Sequence, residues 1–200
     1  MLLAHTVEIF TRPNQAWQSI HDETESPLHH LFNHLIWLAL LPPLCWYIGT
    51  TTFGWSIGSG PATKLTSQSA LIIALLFYGA ILAMVMLLGA LIHWMAQTYG
   101  ANSSFARSLK LAGYTVTPLL LSGLLGIYPA LWFDLVVGLV AIGYTVYLLY
   151  QGTPIMMEIS PERGVLFSSA VIAVGLVMVV ALMGATVILW SMGAAPQFVS

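Results

Sequence analysis

Apolar residues run in long stretches along this chain, and charged residues collect in short patches between them. Leaving histidine aside, no charged side chain interrupts Pro27 to Thr63, Leu65 to Ala106, Leu111 to Phe133, Leu135 to Met157 or Gly164 to Ser200. A helix crossing a bilayer needs about 20 apolar residues at about 1.5 Å each, and charges at bilayer depth are costly. Each stretch holds one predicted span, near residues 31–50, 69–93, 113–132, 135–151 and 165–190. Transmembrane strands would alternate apolar and polar residues over about ten positions. These stretches are apolar on every face, so the predicted fold is an all-α integral membrane bundle of five transmembrane helices. Residues 1–26 form an N-terminal interfacial segment, and residues 27–200 form one five-span membrane domain.

Shorter elements follow from local signals. Thr11 reads as an N-cap with Pro13 in the first turn of a helix. Pro13, Ala16, Trp17 and Ile20 then share one face. Such a Trp-anchored face suits either the membrane interface or a cover packed on the spans. Met1–Phe10 has no cationic start and no apolar run of signal length, so no cleavable signal is expected. Ser26-Pro27 opens a helix running into span one, and Pro42-Pro43 should kink it. Asn102–Ser104 caps a second amphipathic interfacial helix, with Phe105, Leu109 and Leu111 opposed to Arg107 and Lys110. Gly152–Gly164 reads as a compact loop. Small residues four apart mark close helix approach, within the bundle or between copies: Gly79 and Ala83, Ser122 and Gly126, Ser169 and Ala173, Ala181 and Ala185.

Composition agrees and excludes much. Hydrophobic residues make up 58%, charged residues 6%, and mean hydropathy is +0.89. An ordinary soluble domain carries about a quarter charged residues. Twelve charged side chains cannot clothe a soluble enzyme of 200 residues. Five cations and a net charge of −2 leave no basic patch for nucleic acid. The single cysteine, Cys45, excludes an intrachain disulfide. Arg12, Arg107, Lys110 and Arg163 fall on one side of the five spans and Lys64 on the other. Cations favour the cytoplasm, so the N-terminus and the interfacial helices are expected there and the C-terminus in the periplasm.

Polar chemistry concentrates in His21–His34, HDETESPLHHLFNH, which holds four of six histidines and three of seven acids. His30 and His34 are i,i+4 and project from one helix face, a spacing that lets two imidazoles share a divalent metal such as zinc. Asp22, Glu23 or Glu25 can fold back as a third ligand, and His93 can approach the same level. The other reading is a solvated, hydrogen-bonded cluster at the headgroups. Asp134 is the second candidate: a turn residue between spans three and four, or a buried functional acid. No nucleophile motif, P-loop or dinucleotide fingerprint is present, so no enzymatic activity is expected. The expected partners are the lipid bilayer and a second copy or another membrane protein.

The ordered set of segments resembles the Yip domain family, in its bacterial inner-membrane branch. The segments are Pro13, Trp17 and Ile20 before span one, Ile48–Trp55 (IGTTTFGW), Phe77–Gly79 (FYG), Ala112–Pro118 (AGYTVTP), Tyr144–Pro154 (YTVYLLYQGTP) and Val187–Trp190 (VILW). The resemblance implies five spans with an inner N-terminus. Eukaryotic members are linked to Rab GTPases, vesicle traffic and membrane shaping through an acidic D-L-Y-G-P motif. That motif is absent here, so Rab-type partnering does not carry over. For the bacterial branch the resemblance implies no established activity. The leading expectation is a non-enzymatic membrane-organising or adaptor protein, with a metal-binding or ion-translocating protein as the alternative.

Overall fold

A computed structural model describes residues 2–22, 27–56, 61–101, 103–128 and 130–199, with the side chains of 2–6 and 27–33 left aside. Eight α-helices are described: α1 (Leu2–Thr11), α2 (Pro13–Asp22), α3 (Pro27–Ile48), α4 (Ser67–Ala96), α5 (Phe105–Thr115), α6 (Thr117–Ser122), α7 (Leu131–Met157) and α8 (Pro161–Leu189). They supply five segments long and apolar enough to cross a membrane: His34–Phe53, Ser67–Tyr99, Phe105–Ile127, Leu131–Met157 and Pro161–Ala194. The protein is a five-span α-helical membrane bundle.

Span three is its centre. Every residue from Ser108 to Thr115 is buried, whereas α4, α7 and α8 turn most of their surface to lipid. Glycines set the close approaches around it. A Cβ on Gly89 of α4 would stand 2.8 Å from Leu109 Cδ1, so the missing side chain lets α4 meet α5. A Cβ on Gly123 would stand 2.5 Å from Pro42 Cβ. The double proline leaves α3 helical throughout, and its first ring is seated on span three. Span three itself breaks at Val116, because Pro118 has no N–H to continue the α5 ladder.

Several boundaries differ from the sequence expectation. Residues 105–112 open span three, buried from Ser108 onward, and are not a separate interfacial helix. Most of Gly152–Gly164 is helix. α7 runs on to Met157 with Pro154 inside it, and only residues 158–160 connect it to α8. Thr153 Oγ1 donates to the Leu149 carbonyl at 2.7 Å, and Pro154 packs beside Gly164. Glu158 takes the left-handed conformation (φ 53°) that closes α7, and Ile159 N–H returns to the Pro154 carbonyl. Thr11 does not cap α2: its hydroxyl donates to Val7 O and finishes α1, a helix the sequence reading had not placed. Of the small-residue pairs, Gly126 packs on Trp46, while Gly79, Ala83, Ala173, Ala181 and Ala185 stand exposed.

At one end of the bundle the C-terminal tail pairs with the long loop between α3 and α4, Leu65 bridging Phe198 and Trp55 bridging Thr63. At the other end lie α1 and α2.

Candidate functional site at the N-terminal end of the bundle

The amphipathic face read from the sequence is what docks α2. Ala16, Trp17 and Ile20 are all 0% exposed, and their cover is α7 of the same chain. Trp17 fills a notch made by Gly152, where a Cβ would lie 2.5 Å from Trp17 Cε2. Burying an indole of this size contributes on the order of 3 kcal/mol, so Trp17 is the anchor of the segment.

Polar groups fix the direction in which α2 lies. Lys110, buried in α5, donates from Nζ to the Ile20 carbonyl at 3.0 Å. That places a cation against the C-terminal carbonyls of α2, where the helix dipole is negative. His21 faces two carboxylates, with Nδ1 3.1 Å from Asp22 Oδ1 and Nε2 3.0 Å from Glu158 Oε1. Arg107 of α5 donates from Nη1 to the same Glu158 oxygen at 2.6 Å. The His21 hydrogen bond, then the Arg107 charge and hydrogen bond, hold the Glu158 carboxyl below its ordinary range. Thus α2, α5 and the α7–α8 connection meet at one carboxylate.

The elbow between α1 and α2 lies further along α7. Tyr144 donates to the carbonyl of Ile9 at 3.0 Å, and Phe10 stacks on its ring at 5.2 Å. Tyr144 precedes the end of α7 by about 20 Å at the helical rise. The hairpin therefore lies alongside the last half of α7. Val7, Phe10 and Tyr147 remain exposed around the elbow, an apolar and aromatic patch suited to the bilayer interface.

The residues singled out from the sequence are dispersed. His34 is buried; its Nε2 lies 3.4 Å from Thr117 Oγ1 and its ring stacks on Tyr114 at 4.9 Å, so it faces span three. Glu25 lies outside the described residues, as does the His30 side chain. His93 sits edge-on to Phe105 at the end of α4. Asp134 stands in the first turn of α7, half-buried at the opposite end of the bundle from α2. Among the described residues, no three His, Cys, Asp or Glu side chains converge on a metal-sized site. The His21–Glu158–Arg107 junction was missed. Its only signal is the scarcity of charge: cations kept near a bilayer need partners, and Arg107 and Lys110 had been given none.

Residues 7–182 of the chain match the Yip1 domain. The chain belongs to the Yip1 family. It is similar to the inner membrane protein YohC of Escherichia coli K12, 42% identical over 191 residues, which are 96% of this chain and 98% of that one. The protein of the same name from Escherichia coli O6:H1 strain CFT073 matches to the same extent. No solved structure matches the chain.

Proposed function

We propose that this is a non-enzymatic membrane-organising protein of the bacterial inner membrane, with the α1–α2 hairpin on the cytoplasmic side and the C-terminus in the periplasm. The observation that carries this reading is asymmetry. The hairpin adds two helices beside α7 at one end of the bundle, with its elbow at the level of Tyr144. Among the described residues the opposite end carries loops, short turns and the C-terminal tail. A body wider in one leaflet prefers a bilayer that curves to fit it, and it displaces lipid headgroups around the wide end. The inner-membrane assignment draws on the name of the relative, and the orientation on four cations against one.

The test is curvature sorting in single reconstituted vesicles. The full chain should be enriched in small vesicles relative to large ones, and a chain lacking residues 1–22 should lose most of that enrichment. Equal density at all sizes, or the same enrichment without the hairpin, contradicts the proposal. A reporter fused at either terminus checks orientation: activity of a periplasmic reporter at the N-terminus rules out the stated topology.

A further inference from the structure

The reading of the hairpin as an organising element leaves open what governs its attachment, and the geometry around His21 bears on this. We infer that His21 is a pH-sensitive latch, complete only when its ring carries both protons, that ties the hairpin to α5 and the α7–α8 connection.

A neutral imidazole has one N–H and one lone pair, whereas an imidazolium has two N–H donors. Both ring nitrogens of His21 lie at hydrogen-bond distance from carboxylate oxygens, 3.1 Å to Asp22 and 3.0 Å to Glu158. A neutral ring must set its lone pair against the lone pairs of one of the two. The imidazolium donates to both. Charged groups face this point from each element packed there. Asp22 comes from α2 itself, Glu158 from the α7–α8 connection, and Arg107 and Lys110 from α5.

Glu158 supplies a second, independent observation. It is the one non-glycine residue with positive φ among the described residues, at a helix-closing position where glycine is the usual choice. A glutamate there accepts a backbone cost and returns a carboxylate to which two other elements bind. Histidine is the side-chain type whose ordinary change of charge falls between about pH 5 and pH 8. A ring that gives up one proton loses one donor, and one of its two bonds becomes a repulsion. The Lys110 hydrogen bond to Ile20 and the buried Trp17 keep the hairpin from leaving altogether. The latch thus loosens the C-terminal turn of α2 rather than unfolding the bundle.

This inference rests on the membrane-organising reading for its consequence, and on the His21 geometry for its existence. The test is hydrogen exchange of the α2 amides in the full chain in nanodiscs, from about pH 5 to pH 8, corrected for intrinsic rates. Protection in the last turn of α2 should fall about two- to fivefold across that range, the scale of a partly exposed ion pair. His21→Gln should give a flat profile at the lower protection. Asp22→Asn should shrink the pH dependence, because a neutral tautomer can then satisfy Glu158 alone. Ring nitrogen chemical shifts should show the doubly protonated ring at the low-pH end. A flat wild-type profile, or a His21→Gln profile with the wild-type slope, overturns the latch whatever the vesicles show. Absent curvature sorting beside a sloping profile overturns the membrane-organising reading and leaves the latch standing.

Discussion

Gly152→Ala puts the docking of the hairpin to the sharpest test, because one methyl group meets a ring that cannot yield. The added Cβ would lie 2.5, 2.7 and 2.8 Å from three atoms of the Trp17 indole, where ordinary contact begins near 3.4 Å. Trp17 is fully buried, so relief requires moving the ring or the whole of α2 by a sizeable fraction of an ångström. Overpacking of this kind costs about 1–3 kcal/mol, and complete loss of the Trp17 seat sets an upper bound of about 5 kcal/mol. Replacing glycine in a helix returns up to about 1 kcal/mol. The net expectation is a hairpin weakened by about 1–2 kcal/mol, or about five- to thirtyfold in the equilibrium for its release. Gly143→Ala is the control. It makes the same chemical change on the same helix, but nothing lies within 4 Å of its Cβ. The assay is hydrogen exchange of the α2 amides in detergent micelles for both variants. Faster exchange is expected only for Gly152→Ala, and Trp17→Leu should relieve the added cost of the alanine. If the two alanine variants exchange alike, the notch does not hold α2 and the reasoning fails.

Three further outcomes are expected. Lys110→Met removes the buried donor to the Ile20 carbonyl, and thermal unfolding in micelles should show a loss of about 1–3 kcal/mol, against little effect for Lys64→Met at the exposed loop. Glu158 is held charged, so its contribution is present at neutral pH and disappears as pH falls through its lowered titration. Protection of the last turn of α2 should therefore also drop at acid pH below the ordinary glutamate range, and Glu158→Gln should abolish that acid limb. With His34 turned toward Thr117, purified protein should carry well under one equivalent of zinc. Stoichiometric zinc that disappears in a His30→Ala/His34→Ala variant would instead establish the metal site.

Architecture was legible because charge is so scarce. Five charge-free stretches gave the number of crossing segments, although segments three to five run past Arg107 and Lys110, Asp134, and Glu162 and Arg163, and the face Ala16, Trp17, Ile20 is the face that docks. Helix ends were less legible, since they depend on tertiary partners. Pro154 reads as a breaker, yet α7 passes through it, with Gly164 of α8 leaving room for the ring. Residues 105–112 look amphipathic, yet their cationic side is buried because Lys110 finds the α2 carbonyl. The candidate site was least legible. His34 has the spacing of a ligand, but spacing does not say that its face turns to Tyr114 and Thr117. His21 stood in the right segment with the wrong partners in view, because Glu158 lies 137 residues away.

The central claim is that the hairpin widens one end of the bundle at the membrane interface, and the depth of its elbow tests this most directly. A nitroxide on Phe10→Cys can be read by its collisions with dissolved oxygen and with an aqueous nickel chelate, since native Cys45 is buried and out of reach of the label. The account predicts that oxygen collisions dominate at Phe10, which stacks on Tyr144 within the crossing segment of α7, while the same label on the exposed Gln15 meets the chelate more often. Equal access of the chelate to both positions would place the elbow in water and contradict the account.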